Sequence, residues 1–449
     1  MSALATLPPG PSQHPLLQLL RYSFWPLAYL EDCARSGETF TFRLAGFGTL
    51  VQLTRPEDIR EVFRADSTVL HAGEGNAVLS SLVGDTSVLV LDEDPHARQR
   101  RILMPPLKGE RMQHFFEAMQ SEALGTCQAW AQSGEVRADE AMFSITLRVV
   151  LRAVLGVESG PDFDEFELSM KRLLETGRNP LVLMLFNVLP PHKWANSRWV
   201  PFYRLKRRFD ARLYELIAAR RAAPTAARTS CLLDDLIAMR DDDDQQMSDV
   251  EIRDAVVTIL AAGNDTTALS LAWALEQIVP RDDVVAAIEA ELSQVCGAQL
   301  PRAQHIAKLT YLDAVVRETL RVRNILPFVV RVVKREITIG DFTYPPGVVL
   351  CPSIHLLHRR PDLYPEPEQF RPQRYLERRF LPQEWNPFGG GNRACLGQAF
   401  ALYEMKVVLA TLFSELKMSR PVGAHSKPVR RGIAVGPHDG VRLTAVART

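Results

Sequence analysis

The chain has 449 residues, 46% of them hydrophobic, with 53 basic against 53 acidic side chains and a sequence pI near 7.2. That is enough apolar material for a large core, and no basic excess marks it as a nucleic-acid binder. Six cysteines (Cys33, Cys127, Cys231, Cys296, Cys351 and Cys395) lie far apart without a C-x-x-C pair. They argue against a disulfide framework or a zinc site and point to a reducing compartment. The opening MSALATLPPGPSQHP has no basic n-region or apolar h-region, and no run approaches the ~20 apolar residues of a bilayer span. The expectation is a cytoplasmic protein with no transmembrane anchor.

In chain order, residues 14–33 read as an amphipathic helix interrupted at Pro26, and 39–56 as a strand pair turning at Gly46 and Gly48. From about 57 to 320 apolar residues recur at three- and four-residue spacing, through 110–130, 140–156, 163–176, 202–222, 248–279 and 282–295. A second strand-like patch fills 327–353, with turn signals at Gly340–Asp341 and Pro345–Gly347. A Pro-rich loop covers 361–387, and a helix follows Cys395. Length alone allows two or three domains. With no repeat and no low-complexity linker, the reading is one domain, 1–449, mainly α with a small β portion. Residues 1–38 are its lead and first helix, and 39–449 its core.

The stretch NPFGGGNRACLGQAF (386–400) places three glycines ahead of Cys395 and then enters a helix. Free N–H groups and the positive end of the dipole at a helix start favour thiolate over thiol. The glycines let a flat partner lie against the main chain, and Arg393 can pair with an anionic group on it. Haem iron with an axial cysteine fits this description. A buried structural cysteine after a glycine turn is the plain alternative.

The pattern Phe388-x-x-Gly391-x-Arg393-x-Cys395-x-Gly397 resembles the haem-binding loop of the cytochromes P450. The resemblance implies the cytochrome P450 fold and a haem b cofactor. Cys395 is its proximal thiolate, Phe388 packs on the loop, Gly391 and Gly397 make room for the ring, and Arg393 reaches a propionate. Further motifs stand in the family's order. AAGNDTT (261–267) matches the oxygen-binding helix, so that Ala262 and Gly263 give dioxygen its space while Asp265 and Thr266 manage protons. Taken alone it is poor helix material that can also serve a helix–helix contact. Glu318 and Arg321, one helical turn apart, match the Glu-x-x-Arg helix, and Arg374 completes a buried ion network supporting the cysteine loop. On their own they read as a surface salt bridge. His96, Arg100 and Arg331 take the places of further propionate ligands.

The resemblance implies a monooxygenase that uses dioxygen and two electrons. No flavin or iron–sulfur module is visible, so the expected donors are separate proteins, ferredoxin and its reductase. Their docking face is expected to include Arg98, Arg101, Lys108 and Arg111. By resemblance the pocket draws on 71–90, 178–200, 256–267, 325–330 and 432–438, with Val78, Leu82, Leu326, Phe328 and Val329 facing substrate. The first and fourth of these segments contain no Lys or Arg, and 180–191 is apolar enough to suit an entrance or a membrane-touching patch. A neutral hydrophobic substrate, terpenoid or steroid-like, is the expectation. The alternatives are a fatty acid anchored by Arg178, Lys193 or Arg198, a haem protein without oxygenase activity, and a cofactor-free helical interaction protein.

Overall fold

The computed structural model describes residues 7–105, 115–157, 159–177, 201–224, 231–241, 244–421 and 423–448. Proline divides the first helical stretch: α1 (Pro15–Phe24) ends at Trp25, and α2 (Pro26–Ala34) begins on Pro26, where a missing N–H costs nothing. The expected strand pair is the antiparallel hairpin of β1 (Thr39–Leu44) and β2 (Gly48–Leu53), turned by Gly46 and Gly48 at positive φ. After it come the short α3 (Pro56–Arg64) and β3 (Leu70–His71).

The helical middle comprises α4 (Glu93–Leu103), α5 (Phe116–Ser133), α6 (Ala138–Leu155), α7 (Pro161–Gly177), α8 (Pro201–Ala222), α9 (Asp249–Ile278), α10 (Asp282–Cys296) and α11 (Thr310–Val322). The three-residue β4 (Glu135–Arg137) lies between α5 and α6. Beyond α11, the strand-like patch resolves into β5 (Arg331–Val333), β6 (Ile337–Ile339), β7 (Phe342–Tyr344) and β8 (Val349–Pro352). β5 and β8 join the first hairpin in a sheet ordered β1-β2-β8-β5-β3, in which β2 and β8 run parallel. β6 and β7 form a separate hairpin on Gly340.

Helix α12 (Gln398–Glu415) follows the cysteine loop, and the chain ends in β9 (Leu416–Ser419), β10 (Pro428–Arg431), β11 (Ala434–Pro437) and β12 (Arg442–Ala447). β12 lies between β4 and β9, and β10 pairs with β11. The sequence pattern had not marked these strands. β4 and β10 read Glu-Val-Arg and Pro-Val-Arg-Arg, too short and too polar to show alternation.

Helix α9 is the axis of the fold. A reciprocal cap starts it, in which the Ser248 hydroxyl accepts from Glu251 N and the Glu251 carboxylate accepts from Ser248 N. From Thr267 to Ile278 every residue is buried, because α6, α11, α12 and β11 pack around it. The expectation about bilayer-length runs needs amending here. α9 is long and apolar enough to cross a membrane, and 67% of its apolar window lies inside the fold, where it serves as core. The largest apolar cluster runs from Val88 to Ala445, joining α4 through α12 around this helix.

Candidate functional site

The cysteine loop folds back on itself. Cys395 N donates to Phe388 O at 2.9 Å, Gly389 N to Asn386 O at 2.9 Å, and Ala394 N to Gly391 O at 3.1 Å. Gly389 and Gly391 sit at φ +67 and +68, a region costly for a side chain. The structure also corrects the reason for two of the glycines. A Cβ at Gly390 would overlap the Phe63 ring, and one at Gly391 the Phe63 carbonyl oxygen, so both are bare because the end of α3 lies against them. Gly397 is different: a Cβ there meets nothing within 4 Å, so its missing side chain faces open space. Phe388 packs edge-on to Trp385, with centroids 6.1 Å apart, and buttresses the loop from behind.

Cys395 is accessible to solvent although protein atoms surround it on most sides, which places it on the wall of an internal hollow. Burial pushes its thiol above the ordinary range, against the N–H groups of Gly397 and Gln398 and the charge of Arg100. The helix start therefore acts as expected but does not win alone. A metal cation bonded to the sulfur tips such a thiol to thiolate.

Cations gather beside this cysteine. Arg100 donates to Ala394 O at 2.7 Å, clasping the loop one residue before Cys395. Arg393 donates to Asp92 Oδ1 at 2.5 Å and to the Leu91 carbonyl at 2.6 Å. Arg331 is 6% exposed, donates only to its neighbour's carbonyl Val330 O at 2.8 Å, and has no carboxylate in ion-pair range among the described residues. Arg331 and Arg393 are each lowered to about 10, by burial first and, for Arg331, then by the charge of Arg393. His96, 3% exposed, is held at about 4 by burial, then by Arg393 and Arg100, so its ring is neutral. Among the described residues only Arg393 of these three arginines has a carboxylate in ion-pair range, Asp92, in a largely buried space. Such an excess of positive charge calls for an anionic partner. A flat group carrying carboxylates, bound to Cys395 and lying over Gly397, fits these residues.

Helix α9 runs unbroken through Ala262–Thr267, although its sequence is poor helix material. Thr266 Oγ1 donates to Ala262 O at 2.7 Å, the local bond that threonine makes in mid-helix. Asn264 is fully buried and accepts from Thr146 Oγ1 at 2.5 Å, which ties α9 to α6. Gly263 points the same way: a Cβ there would stand 3.5 Å from Val150 of α6. Ala262, exposed, and the half-exposed Thr266 are on the open side.

Glu318 and Arg321 are not a surface pair. Both are buried, and Arg321 donates to the two Glu318 oxygens at 2.8 Å each. Arg374 Nε and Arg371 N also donate to Glu318 Oε1, at 3.3 and 2.9 Å. Arg321 passes the restraint on to His358 O at 2.8 Å and Pro367 O at 2.7 Å. The His358 ring in turn accepts from Asn386 N at 3.2 Å, at the root of the cysteine loop.

Other expected residues are placed unevenly. Val329 lies beside the loop, its Cγ1 3.8 Å from a Cβ built on Gly389, and Leu82 packs on the main core. Val78 and Leu326 are half-exposed. Phe328 is turned toward a different cluster, its ring 6.0 Å from Tyr22 and 6.3 Å from Phe42. Arg98 is spent within the fold, paired to Asp241 at 2.7 Å and Glu251 at 2.5 Å, which removes it from the expected docking face, whereas Arg101 is exposed. Lys108, Arg111, Arg178, Lys193, Arg198 and the 180–191 stretch lie outside the described residues.

Comparison with known proteins gives the family of the chain. Residues 8–440 match the family model Cytochrome P450. Cytochrome P450 135B1 of Mycobacterium tuberculosis is 35% identical over 438 residues, 97% of this chain and 91% of its own. Cytochrome P450 138 of the same species is 33% identical over 413 residues, 91% of this chain and 89% of its own. The solved structures of retinoic acid-bound cyanobacterial CYP120A1 and of the cytochrome P450DA heme domain share the fold, each with TM-score 0.85 and 24% identity. They cover 99% and 100% of this chain, and 100% and 99% of their own. The chain belongs to the cytochrome P450 family. It is a haem-dependent monooxygenase, an oxidoreductase.

Two glycine substitutions separate the two kinds of clearance. Gly397→Ala is expected to leave the thermal unfolding of the haem-free protein unchanged while haem is released several-fold faster to an apo-myoglobin acceptor. Gly391→Ala, strained at positive φ and against Phe63, is expected to lower the unfolding midpoint itself, a cost of about 1–3 kcal/mol.

Proposed function

We propose that Cys395 supplies the axial thiolate, that Arg100, Arg331, Arg393 and His96 hold the carboxylate edge of the haem, and that the substrate is a neutral, hydrophobic molecule. The buried arginines around the accessible cysteine, with Asp92 on Arg393 as their one ion-pair partner among the described residues, carry this reading. A haem held there supplies dioxygen binding and the O–O cleavage that a thiolate ligand favours. The rest is work for the protein's own side chains. Ala262 keeps the helix surface low on the open side. Thr266 Oγ1, now donating to the Ala262 carbonyl, both donates and accepts, so it can turn and pass a proton into the hollow. Asp265, next to it, restores that proton from solvent. Asn264 and Thr146 fix the rotation of α9 so that this face stays inward.

Val78, Leu82, Leu326 and Val329 give substrate an apolar wall, and 71–90 and 325–330 hold no Lys or Arg to anchor a carboxylate. The expected reaction is hydroxylation or epoxidation of a terpenoid or steroid-like molecule in the cytoplasm, with electrons from ferredoxin and its reductase. Retinoic acid, bound in the structurally similar CYP120A1, is isoprenoid in shape but ends in a carboxylate. It supports an elongated apolar pocket and keeps the fatty-acid alternative testable.

The haem spin-state change on titration discriminates the substrate classes. Neutral sesquiterpenes and steroids are expected to bind more tightly than fatty acids, and methyl esters of the acids at least as tightly as the free acids. Free acids binding more tightly than their esters would overturn the neutral-substrate reading. In Thr266→Ala, product formed per electron consumed is expected to fall by about tenfold or more, with substrate affinity retained. Coupling equal to the unsubstituted enzyme would remove Thr266 from the proton path.

A further inference from the structure

The segment that bears Leu82 is held to α8 and α9 by buried charges that none of the roles above uses. Arg253 of α9, 3% exposed, donates to Asp210 Oδ1 of α8 from Nε at 2.8 Å and from Nη2 at 2.6 Å. It also donates to Leu82 O at 3.2 Å and to Asp254 Oδ1 at 2.8 Å. Asp254 Oδ2 accepts from the Thr86 N–H at 3.0 Å and its hydroxyl at 2.8 Å. Ser87 and Thr258 join hydroxyls at 2.7 Å. Gly84, at φ +91, is bare because a Cβ would overlap the Asp254 carboxylate. One more pair completes the set: Lys206 Nζ meets Asp210 Oδ2 at 2.8 Å on α8.

The charges therefore alternate along a chain, Lys206, Asp210, Arg253, Asp254. Its outer links each join residues of one helix, and its central link crosses between helices. Breaking a buried ion pair is costly because it orphans a charge. Here the cut leaves two neutral pairs, Lys206 with Asp210 on α8 and Arg253 with Asp254 on α9, and the 16% of the Asp210 side chain that reaches solvent can take up water. The arrangement holds firmly yet parts cheaply, unlike the Glu318 network, where Arg321 and Arg374 would lose the one carboxylate they have among the described residues. Arg253 lies less than three turns before Ala262, roughly 13 Å along the helix axis. Arg253 is the charge shared by α8 and the Leu82 segment, which also meet through a hydrogen bond between Tyr203 of α8 and Ser81.

We propose that the Asp210–Arg253 link is a releasable latch that sets how fast bulky ligands enter and leave the substrate pocket, with Lys206 as the counter-charge that makes release possible. This rests on the haem-thiolate reading, because the pocket it gates is the one above Cys395. The test is stopped-flow binding and release of 4-phenylimidazole, which ligates haem iron, with carbon monoxide as a small control ligand. In Asp210→Asn both the association and dissociation rates of 4-phenylimidazole are expected to rise together, by about five- to tenfold, with little change in affinity. In Lys206→Gln both rates are expected to fall by about two- to fivefold, because a released Asp210 then has no partner. Carbon monoxide rates should change less than twofold in either.

A merely structural role predicts that both substitutions loosen the pocket alike. Faster exchange in both, or unchanged rates in Asp210→Asn, would overturn the latch. The conservative pair does not require Arg253 itself to be replaced, so a folding defect in an Arg253 variant cannot hide the answer. No spectral shift with 4-phenylimidazole in the unsubstituted protein would instead overturn the haem reading, and is seen before any variant is compared.

Discussion

A fully buried carboxylate, Glu318, is the constraint on which the site depends. Left alone in the core it would be neutral or ruinous to the fold; here it accepts from Arg321 twice, from Arg374 and from the Arg371 backbone. The two guanidiniums then spend their remaining donors on the carbonyls of His358, Pro365, Glu366, Pro367 and Gln369. An irregular Pro-rich segment, which has no ladder of its own, thus acquires a fixed path. The His358 ring hands that path on to Asn386, and from there to the turn that presents Cys395. The rigidity needed to hold a ligand atom in place comes from this network rather than from the glycines, which would otherwise make the loop the loosest part of the chain.

Around that fixed loop the fold leaves a space whose walls have complementary duties. On the proposed reading an accessible sulfur and a bare Gly397 face the exposed Ala262 and half-exposed Thr266 of α9. At one edge are Arg100, Arg331 and Arg393, of which only Arg393 has a carboxylate partner, Asp92, among the described residues. Removing arginines from water and then leaving them short of carboxylates is costly. On the proposed reading, the carboxylate edge of the haem relieves that strain. Stability and function are coupled at this edge: the haem-bearing protein should gain from its cofactor well beyond the sulfur–iron bond.

Much of this was legible in the residues themselves. The Phe388-to-Gly397 pattern, the break at Pro26 and the one-turn spacing of Glu318 and Arg321 are local, and local patterns survive in sequence. What escaped was tertiary. That Gly390 and Gly391 clear Phe63 could not be read, because α3 lies far away in the chain and nothing in Asp-Ile-Arg-Glu-Val-Phe announces a partner. Arg98 looked like a free surface cation until Asp241 and Glu251 took it. Arg253 and Asp254, adjacent in a helix, gave no hint that one faces α8 and the other Thr86. The C-terminal strands β9 to β12 were invisible because they are short, and the pairing of β12 with β4 is long-range.

The most direct test of the central claim is the absorption spectrum of the purified protein, reduced and saturated with carbon monoxide. Cys395 as thiolate ligand, in a pocket whose arginine edge holds the cofactor, predicts the far-red Soret band that distinguishes thiolate-ligated haem. That band should be lost on Cys395→Ser. A Soret band at the shorter wavelength of histidine- or thiol-ligated haem, or no haem absorption at all, would contradict it.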